Sequence, residues 1–150
     1  MTKMNAPRSS GFTLVELVIV IILIGVLSFL GIGLFANRGA FSPLLATQQL
    51  ASATLLAQQA ALAGNVGNTL TVSQESDDFV FIVGADTVSE REFRLARNGA
   101  SFNGGGTSFP ITFNEFGRPD TGGNRLFTFS GDSTSTVCLS SLGAVYGGNC

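Results

Sequence analysis

One acidic residue at the head of a long apolar segment has the position that most directly suggests chemistry. Glu16 is followed by 20 residues, Leu17 to Ala36, that carry no charge. An isolated carboxylate in apolar surroundings is costly to desolvate, so it pairs with a cation, takes up a proton or extends to a polar boundary. Glu16 is therefore the first candidate for a functional side chain, and a carboxylate that merely reaches the boundary is the alternative.

The apolar segment itself predicts a membrane-spanning helix. At ~1.5 Å per residue it extends about 30 Å, which is the thickness of a bilayer's hydrocarbon core. Lys3 and Arg8 precede it with no acidic residue between them. This favours a cytoplasmic amino terminus and places the chain after Arg38 across the membrane.

The order of the segments differs from that of an ordinary secretory signal, in which cleavage follows the apolar stretch. Here a polar, basic leader (residues 1–11) ends at Gly11, and the apolar stretch comes afterwards. The junction reads GFTLVE from Gly11 to Glu16, and Ile21 to Leu27 continues as IILIGVL. This pattern resembles the class III signal of type IV prepilins and of type II secretion pseudopilins.

The resemblance implies a role for each residue of the junction. A prepilin peptidase of the bacterial inner membrane would cleave between Gly11 and Phe12 and N-methylate Phe12. Glu16 would pair with a terminal amine, its own or a neighbouring subunit's, and so set the axial register during assembly. The implied partners are the peptidase, other pilin or pseudopilin subunits that bind through the amino-terminal helix (residues 12–38), and an inner-membrane assembly platform. Gly33 stands where major pilins usually have proline, which favours a minor subunit.

The remaining residues, 39–150, predict a periplasmic head domain that begins with a helix. Asn37 to Ser42 is interpreted as a break, and Pro43 suits a first helical turn capped by Ser42. The composition from Leu44 to Ala63 is strongly helical, and Gly64 supplies a stop. A core-facing stripe is expected along Leu44, Ala51, Leu55 and Leu62.

Beyond Asn65 the pattern predicts strands separated by glycine-rich turns. Phe79 to Val83 is an uninterrupted β-prone run typical of a central strand. Further strands are predicted at Ile111–Asn114, Phe127–Phe129 and Val137–Leu139. The expected fold is α+β and lollipop-shaped: a long amino-terminal helix packed on one antiparallel sheet, with nine phenylalanines supplying most of the sheet's bulk.

The carboxy-terminal third carries a second resemblance. ITFNEFGRP, from Ile111 to Pro119, is followed by LFTF and then by STVCLSSLGAVYGGNC. The spacing resembles the β-domain of H-type pseudopilins and FimT-type minor pilins, and the whole pattern resembles the minor pilins of the mannose-sensitive haemagglutinin type of pilus. A minor pilin for pilus assembly and attachment is implied. An H-type minor pseudopilin of a type II secretion system and a FimT-like DNA-uptake pilin are the alternatives.

Two cysteines are the only ones in the chain, Cys138 and Cys150. In an exported domain we expect them to pair and to tie down the carboxy terminus, which is worth about 3 kcal/mol in the chain-entropy model. Two free thiols are the alternative.

The head domain offers no constellation typical of an enzyme. The chain has no histidine, which is the commonest general base and zinc ligand. Glu75, Asp77 and Asp78 lack the alternating ligand spacing of a calcium loop. The triple glycine at residues 104–106 lacks the lysine of a phosphate-binding loop. We therefore predict no active site, no metal and no cofactor.

Arg91, Arg94 and Arg97 are the candidates for nucleic-acid contact. Two glutamates are interleaved with them, and residues 39–150 contain five arginines against nine acids, a net charge of −4. Phosphate binding needs a clustered positive field. The pattern favours an ion-paired, solvated edge over a nucleic-acid site.

Overall fold

The computed structural model describes residues 12–35 and 38–150, without the side chains of residues 30–38. The predicted leader, including Gly11, lies outside the described residues. The chain divides into two compact units, Met1–Asn37 and Arg38–Cys150.

The first unit contains one helix, α1 (Leu14–Phe35). Its described side chains are mostly leucine, isoleucine and valine, and all of them are exposed. Within the part of the chain that the structure describes, none of the helices has the length and apolarity needed to cross a membrane. The predicted span, Leu17 to Ala36, extends beyond the described residues, so the span and the long amino-terminal helix remain predictions.

The second unit contains one helix and eight strands, which confirms the α+β class. The helix is α2 (Arg38–Leu62). The strands are β1 (Thr69–Gln74), β2 (Asp78–Val83), β3 (Arg91–Ala96), β4 (Ser101–Asn103), β5 (Ile111–Thr112), β6 (Arg125–Ser130), β7 (Thr134–Leu139) and β8 (Val145–Gly147). They form two antiparallel sheets, β3-β2-β1-β5 and β4-β6-β7-β8.

The prediction of a single sheet was therefore wrong, although its central strand is confirmed. The run from Phe79 to Val83 forms β2, which lies between β3 and β1. β4 does not extend this sheet, because it pairs with β6 and opens a second one. Phenylalanine side chains of both sheets pack in one core. There the rings of Phe79 and Phe129 contact each other edge to face, with their centroids 5.1 Å apart.

The predicted break from Asn37 to Ser42 was wrong from residue 38 onward, because α2 begins at Arg38 and continues through Pro43; Asn37 itself lies outside the described residues. Pro43 removes only the hydrogen bond to the carbonyl of Gly39, one residue from the start of the helix. Ser42 does not cap the helix. It is buried, and its Oγ donates to the carbonyls of Ala96 and Arg97 at 2.9 and 3.0 Å. These bonds fix the start of α2 to the end of β3.

The leucine stripe of α2 faces the opposite way from the prediction. Leu44, Leu55 and Leu62 are 46%, 52% and 63% exposed. The buried face is instead made mostly of alanine: Ala46, Leu50, Ala53, Ala57 and Ala61. Small side chains let the helix approach sheets whose own side chains are bulky, because Phe79, Phe81 and Phe127 already fill the core.

The end of α2 follows the sequence. The helix ends at Leu62, and Gly64 has a φ of 69°, where a side chain would be strained. The amide of Asn65 donates to the carbonyl of Ala60 at 2.9 Å. The glycine stop is therefore confirmed.

Candidate processing and assembly site

The start of α1 is closed by a reciprocal pair of side chains, Thr13 and Glu16. The backbone N–H and the hydroxyl of Thr13 each donate to Oε2 of Glu16 at 2.9 Å. The backbone N–H of Glu16 donates to the Thr13 hydroxyl at 3.3 Å. This arrangement is a capping box, in which two residues three apart satisfy each other's free backbone donors.

The capping box leaves part of Glu16 available. Both bonds from Thr13 end on Oε2, so the other oxygen, Oε1, accepts no hydrogen bond from the described residues. A carboxylate can accept at both oxygens. Glu16 can thus cap its own helix with one oxygen and bind a cationic group with the other.

The predicted site residues lie together in the chain, but the structure describes only some of them. Gly11 lies outside the described residues. Phe12 is described and is 86% exposed, and Glu16 lies one turn further on. The cleavage, the methylation and the register role remain predictions.

The capping role of Thr13 was not predicted from the sequence. The signal was available, because a threonine followed three residues later by glutamate before an apolar run is the pattern of a capping box. Position 13 was interpreted only as one letter of the processing motif. Its hydroxyl holds the Glu16 side chain against the first turn of α1.

In the head domain, Cys138 and Cys150 form a disulfide with a Cα–Cα distance of 5.1 Å. The bond joins the last residue to β7, so the intervening loop and β8 are held against the second sheet. Gln58 of α2 reaches the same region. Its Nε2 donates to the carbonyls of Gly117 and Gly143 at 2.8 and 2.6 Å. α2 is therefore hydrogen-bonded to the β5–β6 loop and to the β7–β8 loop.

The arginines of the β3 region do not form a free positive patch. Arg94 pairs with Glu75 at 2.7 Å and with Glu92, and Asp78 lies 3.8 Å away. Hydrogen bonds from Arg94 to Glu75, and then to Glu92, raise the pKa of this guanidinium above its usual range. The Arg97 guanidinium donates hydrogen bonds to backbone carbonyls, among them that of Ala100 at 2.8 Å. The interpretation as an ion-paired edge is confirmed for Arg94.

The described residues offer no metal cluster. Among them, no group of three or more histidine, cysteine, aspartate or glutamate side chains is placed to hold an ion. Asp77 and Asp78 lie in the β1–β2 turn and at its edge, and Asp77 accepts a hydrogen bond from Ser76.

Among the comparisons with known proteins, the match lies in the amino-terminal segment. Residues 7–32 match the family model of the prokaryotic N-terminal methylation motif. Neither the curated proteins nor the solved structures contain a match to the chain. The matched range includes the leader's end, the Gly11–Phe12 junction and Glu16. Proteins with this motif are structural rather than enzymatic. This match supports a class III signal of the type IV pilin kind at the amino terminus, and the similarity to type IV pilins and pseudopilins is limited to that segment.

Proposed function

We propose that this protein is a minor pilin, incorporated into a type IV pilus of the mannose-sensitive haemagglutinin type, where it contributes to assembly and attachment. The prepilin peptidase cleaves the chain between Gly11 and Phe12 and methylates the new terminus. The mature subunit begins at Phe12. Its amino-terminal helix anchors it in the inner membrane with the head domain in the periplasm, until the assembly platform moves it into the filament.

The observation that carries the proposal is the methylation motif of residues 7–32, with its acid in place. Cleavage after Gly11 would create an amine at Phe12, four residues before Glu16. The carboxylate has one oxygen engaged with Thr13 and the other without a partner among the described residues. An amine of a neighbouring subunit is a natural ligand for that second oxygen, since a buried charge requires a counter-ion.

The proposal of a minor rather than a major subunit comes from the helix and the head domain. Gly33 replaces the proline that the major subunits of the resembled family usually have. The head domain is small and has a disulfide at its carboxy terminus. The attachment role rests on the resemblance of the carboxy-terminal third alone.

A deletion strain tests the proposal against its main alternative, an H-type minor pseudopilin of a type II secretion system. We expect loss of the gene to lower the number of surface pili and the attachment of cells, while secreted enzymes reach the medium normally. The wild-type gene should restore pili, whereas a variant with a bulky residue at Gly11 should not. Normal piliation with blocked secretion would overturn the pilus assignment in favour of the secretion system.

A FimT-like DNA-uptake pilin is the second alternative, and the charges of the head oppose it. Arg94 is ion-paired, and the head is net negative. Retention of duplex DNA by the protein at physiological salt, lost on changing Arg91 and Arg94 to alanine, would favour it instead.

A further inference from the structure

The two sheets have four outer edges, and three of them are closed to further strands. Free strand edges invite pairing with another chain unless charges or covering segments block them. β3 carries three exposed charged residues, Arg91, Glu92 and Arg94. This edge is protected by charge.

The edges at β5 and β4 are covered by neighbouring groups. At β5, Asp120 donates its N–H to the carbonyl of Thr112, and its Oδ1 accepts the N–H of Thr112, both at 3.0 Å. At β4, Oε1 of Gln74 accepts the N–H of Phe102 at 2.6 Å. The chain itself thus occupies both outward backbone groups of Thr112 and the outward N–H of Phe102.

The fourth edge, at β8, has neither protection. The amide of Ser140 donates to Ala144, and that of Gly148 donates to Thr136, so the even-numbered residues of this segment face β7. In an antiparallel ladder the residues between them direct their N–H and C=O groups outward. These are Val145 and Gly147, and none of the described residues bonds to their backbone groups. β8 is the last strand of its sheet and carries no charged residue.

A groove of about 560 Å³ lies between α2 and the β7–β8 strands. Leu44 and Ala51 of α2 line one wall, and Val145 and Tyr146 line the other. Leu44 and Tyr146 are both nearly half exposed. All the groove's lining side chains are uncharged.

We propose that the β8 edge and this groove bind an extended, uncharged polypeptide segment of a partner protein by strand addition. Val145 and Gly147 each present one donor and one acceptor, about 6.8 Å apart along the strand. An extended backbone offers complementary groups at that spacing. A charged side chain entering the groove would be desolvated without a counter-ion, so the bound segment is uncharged.

This surface is independent of the amino-terminal signal and goes beyond the proposed function. It belongs to the head domain, and it exists whether the chain serves a pilus or a secretion pseudopilus. Failure of strand addition therefore leaves the processing and assembly account untouched, and failure of that account leaves the edge intact.

The probe is a seven-residue peptide of alternating threonine and valine, acetylated and amidated so that it carries no charge. It is titrated into the ¹⁵N-labelled full chain in detergent solution, with backbone amide shifts as the readout. We expect saturable shifts centred on Val145 and Gly147. A control peptide with the same side chains but N-methylated alternate amides should bind at least tenfold more weakly. Equal binding of both peptides, or no binding, would overturn strand addition.

A matched pair of lysine variants tests the location. Gly147→Lys places a charge in the lining of the groove, and Gly123→Lys places one in the turn before β6, which does not line it. A Cβ at either glycine meets no atom within 4 Å, and neither has positive φ. We expect Gly147→Lys to weaken peptide binding at least tenfold and Gly123→Lys to leave it unchanged. Equal binding by both variants would contradict the assignment. Concentration-dependent dimerisation of the wild type that Gly147→Lys abolishes would assign the edge to a second copy instead.

Discussion

Replacing Glu16 with glutamine separates the two roles that the structure allows this side chain. In the capping box, Oε2 accepts both bonds from Thr13. A glutamine oxygen can accept the same bonds, and capping boxes use glutamine as well as glutamate. We therefore expect Glu16→Gln to keep the first turn of α1, with a change of only a few tenths of a kcal/mol.

The negative charge of Glu16, by contrast, is lost in this variant. If the carboxylate pairs with the terminal amine of another subunit in the filament, glutamine leaves that amine without a counter-ion. Removing one partner of a buried ion pair costs about 3 kcal/mol, which is more than a hundredfold in an equilibrium constant. Incorporation of Glu16→Gln into filaments should therefore fall far below wild type, while processing at Gly11 continues.

The assay compares protein in sheared filaments with protein in membranes by quantitative immunoblot, in a strain that lacks the chromosomal copy. Thr13→Val is the matched control, because it removes the capping hydroxyl and keeps both the shape and the Glu16 charge. Loss of a cap costs about 1 kcal/mol, roughly fivefold. Incorporation of Glu16→Gln at the wild-type level would refute the charge argument and reduce Glu16 to a helix cap.

Three further changes test other parts of the account. A tryptophan at Gly11 should leave an uncleaved precursor, detected by its intact mass, whereas normal cleavage would contradict a class III signal. Cys150→Ser should lower the free energy of unfolding by about 3 kcal/mol, because it releases the loop back to Cys138, and an unchanged denaturant midpoint would contradict this. Gln58→Leu should lower it by about 2 kcal/mol, because two carbonyls lose their donor, while the exposed Gln59→Leu should have little effect; equal midpoints would refute the role of Gln58.

The elements that follow local rules were predictable. Phe79 to Val83 is recognisable as a buried strand because five β-prone residues follow one another. Gly64 ends α2 because its positive φ favours glycine. The cysteine pair followed from the expectation of an exported domain, and the capping box was recognisable in the letters of Thr13 to Glu16.

The orientation of α2 was not predictable from hydrophobicity. The pattern predicts that leucines are buried before alanines, yet Ala53 is fully buried and Leu55 is 52% exposed. Which face is buried depends on how closely the sheets approach the helix, and that distance is set by side chains far away in the chain. The helix also continues through Pro43, and Ser42 has its partners at the end of β3 and just after it rather than in its own first turn.

The division into two sheets also depends on pairing between strands that lie far apart in the sequence. β4 has its partner in β6, with Ser101 opposite Ser130. No local signal distinguishes this pairing from an extension of the first sheet. At the candidate site the same limit holds, since the amine expected to pair with Glu16, its own or a neighbouring subunit's, would arise only on cleavage.

The most direct test of the central claim is the intact mass and amino-terminal sequence of the protein extracted from membranes, with and without co-expressed prepilin peptidase. A prepilin of established processing in the same cells verifies that the peptidase is active. We predict a chain that starts at N-methylated Phe12 with the peptidase and at Met1 without it. A chain that still starts at Met1 beside the active enzyme would contradict the account.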